Sequence, residues 1–304
     1  MGEPNWTLAR KRNTLMQRAR ILTRIRAFFA EHGFLEVDTP QRIPANAPEQ
    51  HIDPVPSDGW VLQTSPELAM KRMLAAGYET IFQICHVWRY GERGRLHLPE
   101  FTLLEWYRSG TDYRALMDDC VALLQALTDG QSLCRQGRQI SLAPPWPVLT
   151  VADAFDLYAP CSLAEAIADR SFETVLTEAV EPRLGQGKPT FLIEYPASLA
   201  ALARLKPDDP AVAERFELYI DGMEIANAFS ELNDPVVQRK RFVADEQERR
   251  NAGKSPAPLP EKFLQELPTM PDAAGIALGL DRLVMLLTDA SRIDDVVALA
   301  PEDL

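Results

Sequence analysis

FQICHVWRYGERGRLHLPEFTLLEWY, residues 82–107, decides how the rest of the chain is read. Two runs rich in aromatic and β-branched residues flank a polar, glycine-punctuated stretch, the pattern of a β-hairpin with a long loop. Alternation along the first strand puts Phe82, Ile84 and Trp88 on one face and Gln83, Cys85 and Arg89 on the other. On the second strand Phe101, Leu103, Glu105 and Tyr107 share a face, and Thr102, Leu104 and Trp106 take the other. An arginine, a glutamate and a tyrosine thus sit among apolar neighbours, where charge is costly unless paired or bound. An internal Arg89–Glu105 ion pair accounts for two of them. A ligand pocket accounts for more, because the loop adds Arg93, Arg95 and His97 to a chain of net charge −12. The hairpin points to an anion and an amine held together.

Upstream, apolar spacing predicts an amphipathic helix over residues 14–32, ended by Gly33, with its arginines on a solvated face. FLEVDTP (34–40) reads as a short strand stopped by proline, and the proline-rich residues 41–60 as an irregular loop. In VLQTSPELAMKRMLAAG, Ser65 suits an N-cap, Pro66 the first helical turn and Glu67 the positive end of the helix dipole. Downstream, helices are predicted at 113–127, 150–157 and 162–180, and GQGK (185–188) as a turn, since the phosphate-loop spacing is missing. Two strands joined by Asp221-Gly222 follow in ERFELYIDGMEIANAFSEL (214–232). Seven residues separate Glu224 from Glu231, which puts them on opposite faces of a regular strand. Both reach one site if the strand ends or bulges near Phe229. After a charged helix over residues 235–252, AAGIALGLDRLVMLLTD runs from strand to helix, with Asp281 as N-cap. Arg282 in a first helical turn is electrostatically misplaced unless its guanidinium reaches away to a phosphate.

Composition narrows the classes. Apolar content of 46% and charged content of 25% are ordinary for a soluble globular protein. The acidic balance argues against broad nucleic-acid binding, which depends on phosphate neutralisation. The four cysteines (85, 120, 134, 161) show no metal spacing, and no apolar run reaches membrane-spanning length, so a cytoplasmic setting with no membrane partner is expected.

WRYGERGRLHLPEFTLLEWY resembles motif 2 of the class II aminoacyl-tRNA synthetases of lysyl type, and most closely that of the elongation factor P–(R)-β-lysine ligases. The segment ending in GFLEVDTP is similar to motif 1, SPEL and EIANAFSEL to the lysyl-type substrate segments, and ALGLDRL to motif 3. Together these span roughly residues 14 to 290 in family order. The resemblance implies an α+β fold, a single class II synthetase-like catalytic domain over residues 1–304 with a mainly antiparallel sheet flanked by helices. It implies a homodimer through motif 1, and no OB-fold anticodon-binding domain.

The chemistry implied is ATP-dependent adenylation of a lysine-like substrate, then transfer to a lysine of elongation factor P, tRNA being the disfavoured acceptor. By the same resemblance Arg89 and Arg282 are catalytic, on the α- and γ-phosphates. Tyr90, Gly91, His97, Leu98, Phe101, Ile225 and Gly279 border ATP, and Glu224 and Glu231 hold Mg²⁺. Ser65, Glu67, Glu105, Tyr107, Glu231 and Ala277 surround the amino acid. Ala277 stands where lysyl-tRNA synthetases carry Gly, which implies (R)-β-lysine over α-lysine. Two departures fall in the ATP loop: Gly91 replaces the Glu of Arg-x-Glu, with Glu92 one place on, and Leu98 replaces Asn. These either weaken ATP binding or leave the contact to backbone groups and Glu92. The rival readings are a truncated enzyme charging tRNA, an amidating paralogue and a non-catalytic amino-acid sensor. Intact Arg89, Glu224, Glu231 and Arg282 oppose the sensor, and SPEL with LLEWY opposes the amidating enzyme.

Overall fold

The computed structural model describes residues 6–128 and 132–304, and an eight-stranded sheet forms its centre. In chain order the strands are β1 (Leu35–Glu36), β2 (Thr80–Trp88), β3 (Glu100–Ser109), β4 (Val148–Thr150), β5 (Thr190–Ile193), β6 (Arg215–Ile220), β7 (Met223–Ser230) and β8 (Ala273–Gly279). Across the sheet they lie β1-β2-β3-β8-β7-β6-β5-β4. The two edge pairs are parallel, and the pairs between them are antiparallel. This is the α+β, mainly antiparallel arrangement expected, with the hairpin and the strand before Asp281 near its middle.

Helices α1 (Trp6–Glu31), α2 (Glu67–Ala75), α3 (Tyr113–Thr128), α4 (Val151–Tyr158), α5 (Leu163–Ala168), α6 (Phe172–Val175), α7 (Pro235–Asn251), α8 (Glu261–Glu266) and α9 (Leu280–Leu287) flank the sheet. Strand parity divides its two faces as the hairpin sequence requires. Phe82, Leu104 and Trp106 point into the main core against α1, α3 and α9. Trp106 satisfies its indole N–H there by donating to Asp119 on α3 at 3.1 Å. On the opposite face Gln83, Glu105, Ala277, Asn227 and Glu217 lie side by side across five strands. Helices α2, α7 and α8 cover part of that face with a smaller apolar cluster. The sheet therefore has a dry face that holds the fold and a polar face left for a site.

Three local expectations change. Residues 41–60 are not wholly irregular: Arg42–Ile43, Pro56–Ser57 and Trp60–Leu62 form a small sheet. Its turn is Asp58-Gly59, both at positive φ, a pair that favours tight hairpins. The helix expected over 162–180 breaks after Ala168, where Arg170 takes positive φ, and resumes as α6 and a π turn at Leu176–Val180. Asp281 is no N-cap. It lies inside the first turn of α9, buried, where its carboxylate accepts from the Thr102 N–H at 2.8 Å and pairs with Arg18 of α1.

Candidate active site

The site grows from Glu105, which β3 places on the polar face with no exposed surface. A carboxylate buried this deeply needs donors, and it has two. Ser65 Oγ donates to one oxygen at 2.7 Å, and the Tyr107 hydroxyl donates to the other at 2.8 Å. Ser65 also accepts from the Glu67 N–H at 3.0 Å. The cap position is Pro66 and not Ser65 as expected, so Ser65 closes a local turn onto the first N–H of α2 while touching the site. Burial, and then the charge of Glu67, push the Glu105 carboxyl up to about 8. Tyr107 is held well above its ordinary value by burial and by Glu105.

Glu231, just beyond the end of β7, completes this acidic group and is likewise fully buried. Burial pushes its carboxyl up to about 8, even though the nearby Lys71 ammonium works the other way. Its Oε1 has no hydrogen-bond partner among the described residues. Such an orphaned oxygen in a closed, acidic pocket fits a cationic ligand.

Glu224 reaches the same face through a bulge. Leu218 pairs with Ala226 but Tyr219 pairs with Glu224, so Ile225 is an extra residue on β7. Ile225 drops into the main core, while Glu224 turns toward the polar face. The irregularity that the spacing of Glu224 and Glu231 demanded is therefore present, six residues from Glu231 and not near Phe229.

Arg282 comes from the first turn of α9 and reaches away from it. Its guanidinium donates to the Glu224 carbonyl at 2.9 Å and carboxylate at 3.2 Å, and to His97 Nε2 at 2.6 Å. Because a guanidinium only donates, His97 Nε2 accepts there. Partial burial and then Arg282 lower the His97 pKa, which keeps the ring neutral for that role. Arg89 does not pair with Glu105. It lies 5.0 Å over the Phe101 ring and 3.9 Å from Glu92, and its buried Nε has no partner among the described residues. Two arginines and an imidazole are thus left at the anion end of a face whose other end is acidic.

The remaining predicted residues divide. Ala277 is half-buried directly beside Glu105 in the register, at the amine end. The Leu98 and Ile225 side chains are in the main core, so either touches a nucleotide through backbone alone. Tyr90 is 69% exposed and points to solvent. Gly91 takes positive φ in the loop turn, and an added Cβ there meets nothing within 4 Å. At Gly279 the nearest atoms to an added Cβ are Arg282 methylenes at 3.6–3.8 Å, ordinary contacts.

Two site residues were missed. Lys71, one turn after Glu67 on α2, is buried to 1% exposure and bridges Glu67 and Glu231 at 2.5 Å each. Its i,i+4 spacing from Glu67 was the available signal, but that spacing is equally common on solvated helix faces. Gly275 is the second. A Cβ there falls 2.2 Å from the Tyr107 ring and 2.4 Å from Glu231 Oε1, so only glycine lets both side chains lie over β8.

Comparison with known proteins matches this geometry to a family. The model of class II tRNA synthetases (D, K and N) fits residues 6–302. The elongation factor P–(R)-β-lysine ligase of Vibrio atlanticus is 40% identical, over 96% of this chain and 97% of its own. Those of Salmonella arizonae (41%; 93% and 94% covered) and Vibrio cholerae serotype O1 (39%; 98% and 98%) are similarly close. The chain belongs to the class II tRNA synthetase family, in its elongation factor P–(R)-β-lysine ligase branch. Family membership makes it an ATP-dependent ligase. Among the described residues no helix is long and apolar enough to cross a membrane.

Proposed function

We propose that this chain is a cytoplasmic, single-domain enzyme that activates (R)-β-lysine as an adenylate and transfers it to a lysine ε-amine of elongation factor P. The observation that carries this is the two-ended face: Arg89 and Arg282 at one end, and Ser65, Glu67, Glu105, Tyr107 and Glu231 at the other. Relatives at about 40% identity bear the name of that activity.

The substrate carboxylate, ionised at neutral pH with an ordinary pKa of about 3.5, attacks the α-phosphorus of ATP without a general base. Pyrophosphate leaves with the bonding electrons. Catalysis is then positioning plus charge stabilisation, with Arg89 at the α-phosphate and attacking carboxylate and Arg282 at the γ-phosphate. Phe101 stacks on the adenine, and His97 borders the nucleotide beside Arg282. Mg²⁺ would be held at the arginine end by Glu224 and would neutralise phosphate charge; Glu231, expected to share it, lies at the opposite end of β7 against Lys71 and serves the amine instead. In the second step the acceptor amine, once deprotonated, attacks the acyl carbon. A C–N bond forms and AMP departs.

Ala277 sets the isomer. One methyl beside Glu105 shifts discrimination by about 1–3 kcal/mol, enough to prefer one positional isomer of lysine. We place a two-fold homodimer at the motif 1 segment, where edge strand β1 leaves Leu35 51% exposed. The test is a transfer assay with labelled (R)-β-lysine and α-lysine, offering elongation factor P and bulk tRNA together. Label should appear on elongation factor P, mainly from the β-isomer. Label chiefly on tRNA, or equal use of both isomers, would overturn the proposal.

A further inference from the structure

We infer that Lys71 is a positioning residue for amine recognition: a resident cation that fixes Glu67 and Glu231 in place as two walls of the amino-acid pocket. The inference rests on the lysine-like substrate proposed above and goes beyond it, because Lys71 itself need not touch the substrate.

The geometry is specific. Lys71 Nζ lies 2.5 Å from Glu67 and 2.5 Å from Glu231, and 5.0 Å from the centre of the Phe229 ring. With 1% of its side chain exposed, it has no water to turn to. Glu67 opens α2, and Glu231 follows the end of β7, so one ammonium ties a covering helix to a strand end. With both carboxylates ionised, one ammonium leaves the group at −1, and Glu105 adjoins it through Ser65 and Tyr107. Lys71 therefore holds the carboxylates in place without cancelling their pull on a second cation. Without it, nothing ties Glu67 of α2 to Glu231 at the end of β7, and the two side chains swing apart. That movement dismantles the pair of acidic groups that distinguishes a diamine from a monoamine.

The experiment compares the wild type with Lys71→Met, Lys71→Gln and Lys71→Arg in amino-acid-dependent pyrophosphate exchange. KM is read for ATP and for the preferred diamine. Inhibition constants are read for norleucine and 6-aminohexanoate, each a lysine lacking one ammonium. In Lys71→Met the diamine KM should rise at least tenfold while the ATP KM stays within twofold. The preference for the diamine over both monoamines should shrink by a similar factor, a change that general loosening of the fold does not produce. Lys71→Arg, which keeps the cation, should retain the preference. If Lys71→Met fails to fold, Lys71→Gln answers the same question, since its amide donates to both carboxylates without the charge. An unchanged preference in the neutral variants, or ATP and diamine KM rising in step, overturns the inference alone. A wild type that exchanges with no diamine overturns the substrate reading, and this inference with it.

Discussion

Replacing Gly275 by alanine tests the site at the point where its geometry is tightest. The new Cβ would fall 2.2 and 2.5 Å from two Tyr107 ring carbons and 2.4 Å from Glu231 Oε1. Favourable carbon contacts lie at about 3.5–4.0 Å, so the neighbours must retreat by roughly 1 Å or more. Neither has room. Tyr107 is 3% exposed with its hydroxyl on Glu105, and Glu231 is fully buried against Lys71. Overpacking of this kind costs about 1–3 kcal/mol of stability. In a chain of this size that lowers the melting temperature by only a few degrees. The loss in activity should be larger, because a displacement near 1 Å of groups that orient the substrate costs about 100-fold. The assay is pyrophosphate exchange with a lysine-like diamine, alongside thermal melting. Gly279→Ala is the control: its Cβ makes ordinary contacts with Arg282, φ is −67°, and stability should hold. If Gly275→Ala melts and exchanges like the wild type, the packing of Tyr107 and Glu231 over β8 is wrong.

Arg282→Ala should cut exchange about a hundredfold, the ~3 kcal/mol typical of one lost electrostatic stabiliser, and a normal rate would refute its phosphate role. Burial holds Glu105 near 8 against an ordinary 4.5, so the folded state carries the extra proton between those values. Stability without substrate should therefore fall as pH rises from about 4.5 to 8, and Glu105→Gln should flatten that slope in melts across the range. For the same reason diamine binding should tighten as pH rises toward 8, with proton release in calorimetry; affinity independent of pH would count against an amine at Glu105. In sedimentation at micromolar concentration the chain should run as a dimer, and a monomer would refute the motif 1 interface.

The hairpin and its facing were legible because alternation is a local property of a strand. Once Leu104 and Trp106 are assigned to the core, Glu105 and Tyr107 must face away from it. The reach of Arg282 was legible too, since a cation at a helix N-terminus demands an outside partner. The bulge was inferred as a need but misplaced. MEIANAF carries no glycine to mark Ile225, and the extra residue is fixed by pairing with β6. Asp281 was misread because an acidic residue at a helix start looks the same whether it caps the helix or receives an arginine from far along the chain. Arg18, 263 residues away, makes the difference. Lys71 was invisible for a related reason: burial turns an ordinary Glu67–Lys71 helical pair into part of the site, and burial is tertiary.

The charge of the pocket supports the proposed diamine substrate. With Glu67, Glu105 and Glu231 ionised and Lys71 protonated, the amine end carries a net −2, while the substrate's carboxylate is served separately by Arg89. A single ammonium leaves one negative charge buried without a partner, which the pocket relieves only by taking up a proton. Two ammonium groups bring it to neutrality with every carboxylate ionised. Burial pushes the carboxyls of Glu105 and Glu231 both up to about 8, and a bound dication opposes that shift by favouring their ionised forms. On this proposal selectivity against monoamines follows from the same count of charges, and Ala277 separates isomers that bear identical charge.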